Sequence, residues 1–232
     1  MVLHLQKEIE TLKKHLLYLA AVVEENVRKA VKSIEQRDKT LAEKVIEVDL
    51  EIDRREVWIE EDCLKILALH QPVAIDLRFI AAALKLNNDL ERIGDLAVNI
   101  AERAIYLSIT EKVETSFDYH PMTRKTESML RRSLDALVNL DADLAREVCR
   151  SDDEVDALET EIVNQVQEAI KKNPEQVDRL LHYMFVARHL ERIADHATNI
   201  AEDVIYMVTG EIIRHRTKIH DIQSRSDDAN ET

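Results

Sequence analysis

Leu90-Glu91-Arg92-Ile93-Gly94-Asp95-Leu96-Ala97-Val98-Asn99-Ile100-Ala101-Glu102 returns one hundred residues later as Leu190-Glu191-Arg192-Ile193-Ala194-Asp195-His196-Ala197-Thr198-Asn199-Ile200-Ala201-Glu202. Between 90–106 and 190–206, twelve of seventeen positions are identical. Further upstream the copies stand 103 residues apart. Asp38-Lys39-Thr40-Leu41-Ala42 matches Asp141-Ala142-Asp143-Leu144-Ala145, and Asp49-Leu50-Glu51-Ile52-Asp53 matches Asp152-Asp153-Glu154-Val155-Asp156. The three-residue difference falls near Pro72 and Pro174, where a connection absorbs it. Two unrelated segments of similar composition would not agree at so many charged positions. The chain therefore reads as one unit written twice, residues 1–110 and 111–217, followed by a polar, aperiodic tail, 218–232.

The repeated phrase has a helical period. At 100° per residue, Leu90, Ile93, Ala97, Ile100 and Ala101 form one apolar stripe, with Glu91, Asp95, Asn99, Glu102 and Tyr106 nearly opposite. Composition extends that reading to the whole chain. It has 2 glycines and 3 prolines in 232 residues, against average usage of about 7% and about 5%. Sandwiches, barrels and doubly wound sheets need many tight turns, so they are excluded. Gly94 and Gly210 stand alone, which excludes a glycine-rich phosphate loop. Pro72, Pro121 and Pro174 each start a helix, since proline is tolerated in a first turn and breaks an interior. Asp38 and Asp141 are N-caps. The expectation is all-α: six long helices over 3–36, 38–70, 72–110, 121–140, 142–172 and 174–209, three to each repeat. Three antiparallel helices with short connections enclose a core.

Hydrophobic residues make up 45% of the chain and aromatics 4%, so the core must be Leu, Ile, Val and Ala. Trp58, Tyr18, Tyr119 and Tyr183 are expected to pack into it. The net charge is 32 − 46 = −14. That excludes nucleic acid as a partner and suits cations or a basic protein surface. Cys63 and Cys149 lie on apolar-periodic stretches and read as buried free thiols, with no disulfide framework or zinc motif. Charge enters within the first eight residues, too early for a signal peptide. The longest apolar run, Leu16 to Val23, is too short to span a bilayer. A cytoplasmic protein is expected.

The polar stripe carries the chemistry. Generic exposed positions diverge between the copies: Arg103 corresponds to Asp203 and Asn88 to Arg188. Glu91, Asp95 and Asn99 are nevertheless kept as Glu191, Asp195 and Asn199. On helix two, Asp49 and Asp53 are four apart on one face, as are Asp152 and Asp156 on helix five. Carboxylates at that spacing repel, and a cation between them relieves the repulsion. If helices two and three are neighbours, Asp49, Asp53, Glu91 and Asp95 converge, and so do Asp152, Asp156, Glu191 and Asp195. An all-oxygen set suits hard cations such as Mg²⁺, Mn²⁺, Ca²⁺ or Fe³⁺. Asn99 and Asn199 are additional candidate ligands, with Glu56 and Glu159 weaker ones. Arg92 and Arg192 read as salt bridges holding the stripe. His189 and His196 correspond to Asp89 and Leu96, outside the shared pattern.

These residues resemble the PhoU family, the accessory and regulatory proteins of the bacterial phosphate-specific transport system. Glu91-Arg92-Ile93-Gly94-Asp95 and Asn99-Ile100-Ala101-Glu102, repeated in the second copy, are similar to that family's signature. The resemblance implies two three-helix bundles related by pseudo-twofold symmetry, with the acidic motifs holding iron or zinc. It implies a cytoplasmic, dimeric, non-enzymatic regulator that reaches the membrane only through partners. Those partners would be the ATPase subunit of the phosphate ABC transporter and the phosphate-sensing histidine kinase. The role would be to repress the phosphate-starvation regulon when phosphate is plentiful. The sequence departs from symmetry at Arg54 and Arg55, which become Ala157 and Leu158, so the two sites differ in charge. Two other readings compete. A ferritin-like di-iron protein needs Glu-x-x-His motifs that neither repeat supplies at matching positions. A plain helical scaffold would use its acidic faces only for solvation.

Overall fold

The computed structural model describes residues 2–113 and 117–213, with side chains from residue 4. The tail 218–232, and Glu114, Thr115 and Ser116 of the junction between the repeats, lie outside the described residues. The described residues form seven α-helices: α1 (Val2–Gln36), α2 (Lys39–His70), α3 (Ala74–Ile109), α4 (His120–Asn139), α5 (Ala142–Arg150), α6 (Asp152–Lys172) and α7 (Val177–Thr209). No strand is present among the described residues, and none of their helices is long and apolar enough to cross a membrane.

The predicted fifth helix, 142–172, is interrupted once, at Ser151, into α5 and α6. Ser151 remains in the right-handed helical region (φ −83°, ψ −8°). Its N–H bonds the Val148 carbonyl at 2.9 Å, and its hydroxyl donates to the Glu147 carbonyl at 3.1 Å. A serine bonding back to the preceding turn competes with the helical ladder and bends the chain. The equivalent residue of the first repeat is Val48, which has no such donor, and α2 runs unbroken.

The two predicted caps form the same turn twice. The Asp38 carboxylate accepts from the Leu41 N–H, and that of Asp141 from the N–H groups of Asp143 and Leu144. The residue before each cap, Arg37 or Leu140, is left-handed (φ 52° and 51°). The N–H of Asp38 reaches back to Ser33 and that of Asp141 to Ala136, both at 2.9 Å. That bond pattern closes a Schellman turn, built here without glycine. The prolines behave less uniformly. Pro121 sits in the first turn of α4, and Pro174 opens a short 3-10 turn (Pro174–Gln176) ahead of α7. Pro72 stands two residues before α3, in a connection whose Gln71 and Ala74 have positive φ.

Helices α1, α2 and α3 pack together as one bundle, and α4 to α7 form the second. The apolar stripes meet as expected: Leu90, Ile93, Ala97, Ile100 and Ala101 are buried with Val45, Ile52 and Ile59 of α2, and their second-repeat equivalents are buried too. Cys63 is buried and Cys149 partly so, both thiols free and pushed up to about 12, chiefly by burial. Tyr119 is buried and donates its hydroxyl to the Tyr183 carbonyl at 2.7 Å. Trp58 and Tyr18 do not join the core. Both are largely exposed, Trp58 beside the His15 ring and Tyr18 beneath the Arg55 guanidinium.

The bundles join along α3 and α7. Lys85 meets Asp203, Asp89 meets His196 and Tyr106 stacks on His182. Numbers that rise on one helix while falling on the other show antiparallel packing. Arg103 lies over the Phe185 ring, and those two positions are the equivalents of Asp203 and Lys85. The Lys85–Asp203 contact thus has its counterpart in Phe185–Arg103, as an approximate twofold axis requires.

Candidate functional site

The close approach of α2 to α3 sets the geometry of the first acidic cluster. Gly94 lies against Ile52 so tightly that an added Cβ would stand 3.2 Å from Ile52 Cδ1 and 3.3 Å from Asp49 Oδ1. Asp49 is thereby held in the crease between the helices. Burial first, then the charges of Asp53 and Asp95, push its carboxyl up to about 6. Glu91 is raised by burial and by Asp95, with Arg92 opposing; Glu56 is raised by burial and by Glu60 and Asp53. The four predicted residues Asp49, Asp53, Glu91 and Asp95 therefore share one electrostatic neighbourhood, and Glu56 belongs to it.

In the second repeat, Glu191 is pushed up to about 6 by burial, then by Asp195, Asp156 and Glu159. Asp152 stands at the start of α6. Its Oδ1 accepts the Thr198 hydroxyl at 3.2 Å, and its charge contributes to raising Cys149. Thr198 replaces Val98, so the second cluster has a donor that the first lacks. Arg188 approaches Glu159 at 3.6 Å where the first repeat has Asn88. The clusters share a plan and differ in charge, as Arg54/Arg55 against Ala157/Leu158 also implies.

Two observations bear on whether a cation fits. Asp49 Oδ1 is buried and has no hydrogen-bond partner, and a buried anionic oxygen left bare is costly. Arg92 meets part of the demand nearby, at 3.0 Å from Asp95 and 3.4 Å from Glu91. It is the salt bridge expected from the sequence. Among the described residues, no three carboxylate, imidazole or thiolate groups stand together as a ready coordination set. The donor chemistry therefore fits a hard cation, but Arg92 would have to yield its carboxylates and the side chains draw inward.

Asn199 points elsewhere. Its amide donates at 3.4 Å to Asp89 of the other repeat, whose same oxygen lies 2.8 Å from His196 Nδ1. Asn99 is half-buried on the matching face of α3. Sequence reasoning set His189 and His196 aside because they broke the repeat. They belong to the seam between the repeats, together with His182. His189 is pushed down to about 4 by burial, then by Arg103 and Arg192, and its Nδ1 has no partner. The signal was available: a helix meeting its own copy needs unlike residues where polar groups would otherwise face their equivalents.

Fold and site define a class: a tandem helical repeat with acidic residues gathered where α2 meets α3 in the first unit and where α6 meets α7 in the second. Comparison with known proteins is specific. The PhoU domain matches the chain twice, over residues 16–104 and 120–204. Relatives named phosphate-specific transport system accessory protein PhoU homolog are similar over nearly the whole chain. The Aquifex aeolicus protein is 39% identical, covering 90% of this chain and 95% of its own. The Thermotoga maritima homolog 1 is 38% identical, covering 89% and 90%. The crystal structure of PhoU from Pseudomonas aeruginosa superposes with a TM-score of 0.86 at 38% identity, covering 89% of this chain and 99% of that one. The regulatory protein PhoU from Streptococcus pneumoniae gives 0.82 at 30% identity, covering 90% and 98%. The chain belongs to the PhoU family.

Proposed function

We propose that the protein is a non-enzymatic regulator of phosphate uptake and phosphate-starvation signalling. It acts in the cytoplasm as an adaptor between the phosphate ABC transporter, through its ATPase subunit, and a phosphate-sensing histidine kinase. It represses the phosphate regulon when phosphate is plentiful. Family membership with relatives named for the phosphate-specific transport system supports the pathway. The duplicated carboxylate clusters support a binding role over a catalytic one, because among the described residues no nucleophile–base pair is seen beside them.

In this reading Asp49, Asp53, Glu91 and Asp95 hold a cation in the first repeat, and Asp152, Asp156, Glu191 and Asp195 hold one in the second. Asn99 is an additional candidate donor; Asn199 would have to leave Asp89 to contribute. The single observation carrying the metal assignment is the bare, buried Asp49 Oδ1 amid like charges. Oxygen ligands alone favour Mg²⁺, Mn²⁺, Ca²⁺ or Fe³⁺, and the family resemblance adds iron and zinc. Bound cations would cancel repulsion and fix α2 against α3. The protein itself supplies the scaffold and the partner surfaces, as a homodimer.

Affinity capture from cells grown in high phosphate tests the adaptor role. The transporter ATPase and the sensor kinase should co-purify, and the absence of both would overturn it. Metal analysis of the purified protein and of an Asp95→Ala, Asp195→Ala variant tests the site. Equal metal content in both would overturn the assignment of these residues.

A further inference from the structure

The second helix of each repeat offers an internal comparison. On α2, Leu50, Val57 and Leu64 recur every seven residues, so they lie in one row. That row faces away from buried Val45, Ile52 and Ile59 and is 62%, 50% and 53% exposed. Trp58, on the adjoining face of α2, is 63% exposed. The equivalent positions of α6, 103 residues on, are Asp153, Thr160, Gln167 and Glu161, all exposed and polar. The same fold therefore keeps this face wet in one repeat and apolar in the other. Folding does not require the row, and exposed apolar side chains at heptad spacing, here with charged residues between them, are the kind of seam that a second helix covers.

The charges beside the row select the partner. Asp53 and Glu60, also seven apart, run along one edge, and among the described residues neither is paired with a basic side chain. Arg55 is committed to Glu51 and Arg92 to Asp95, while the row's other flank carries one exposed charge of each sign, Arg54 and Glu61. Two copies pairing antiparallel along α2 would set this acidic edge against itself, within proteins each carrying a net charge of −14. We propose that the outer face of α2 binds an amphipathic helix of a partner protein, whose heptad-spaced apolar side chains cover Leu50, Val57, Leu64 and Trp58 while its Lys or Arg residues lie along Asp53 and Glu60. This is the helix-against-helix mode of peptide recognition, with apolar anchors for affinity and charge for orientation. The proposal does not rest on the role in phosphate signalling; because Asp53 also lines the first acidic cluster, its test is made with metal chelated.

Trp58 is the only tryptophan in the chain, so its fluorescence reports on this face alone. The probe is a synthetic three-heptad helix with Leu at the heptad positions and Lys on both flanks, titrated into the full chain in chelating buffer. Emission should shift to the blue and saturate. The same peptide with Glu for Lys should have no effect. A Leu50→Asp, Val57→Thr, Leu64→Gln variant takes the residues of the second repeat and becomes more negative. It should nonetheless bind at least about tenfold more weakly, since three apolar contacts are lost. An Asp53→Asn, Glu60→Gln variant, which leaves the apolar row intact, should also bind more weakly. Equal affinity in both variants, or equal binding of the Glu peptide, would overturn the proposal. So would a blue shift on raising protein concentration alone, accompanied by a dimer lost in the apolar variant, which would make the occupant a second copy. A shift produced by phosphatidylglycerol vesicles and not by the peptide would assign the face to lipid.

Discussion

At the scale of the residue, Asp49 and Glu191 govern how the site responds to pH. Each carboxyl is held at about 6 in the fold, above its ordinary range near 4. Between those values the folded chain binds more protons than the unfolded one, so stability falls as pH rises through the window. Below it both states are protonated and nothing is lost. In chelator-treated protein, Asp49→Asn and Glu191→Gln should therefore raise the Tm at pH 7.5 and have little effect at pH 4. A cation that occupies the clusters should reproduce the gain in the unmutated protein at pH 7.5. Tm measured across this range checks both.

Gly94 makes a second residue-scale prediction. The first repeat pairs Gly94 with Ile52, whereas the second pairs Ala194 with Val155. The methyl added on one helix is matched by a methylene removed from the other. Gly94→Ala alone gains helix propensity but crowds Ile52 at 3.2 Å, while Ile52→Val alone costs about 1 kcal/mol. Combined, they should be more stable than the sum of their effects by about 1 kcal/mol. Denaturant titration of the three variants decides it, and simple additivity would refute the size match.

At the scale of the element, the repeated turn is where stability is set locally. Asp141→Ala should cost about 1 kcal/mol by removing the acceptor for two free N–H groups. Leu140→Gly should gain about 1 kcal/mol, because a left-handed residue with a Cβ is strained and Leu140 is well exposed. Chemical denaturation measures both. These turns were legible in the sequence because Asp38 and Asp141 announce them locally. The helical stretches and the buried stripes were legible for the same reason, as period and caps are local properties. The break at Ser151 was not, since a serine inside an amphipathic pattern either points to solvent or bonds back, and the pattern does not distinguish them. Trp58 was misplaced because an aromatic residue is ordinarily worth burying, and which flank of α2 stays uncovered depends on the other helices.

At the scale of the whole molecule, the seam between α3 and α7 makes two repeats one body. Asp89→Ala would leave His196 and Asn199 without their shared acceptor. It should cost about 2 kcal/mol and shift the unfolding of both repeats together, which differential scanning calorimetry would register as one transition moved to lower temperature. The convergence of the acidic clusters was foreseeable from duplication, since two helices of one short-looped bundle must be neighbours. The diversion of Asn199 to Asp89 was not, because it depends on the other repeat. The proposed docking along α2 and the proposed cation binding in the first crease meet at Asp53.

If this body transmits phosphate sufficiency to gene expression, a phosphate-starvation promoter must respond to it. The most direct measurement uses a strain lacking the gene and carrying a reporter driven by a phosphate-starvation promoter, grown in plentiful phosphate. Reintroducing the chain should silence the reporter, and a variant with Asp49, Asp53, Asp152 and Asp156 changed to Asn, expressed at the same level, should silence it poorly. A reporter that stays equally active with and without the chain would contradict the account.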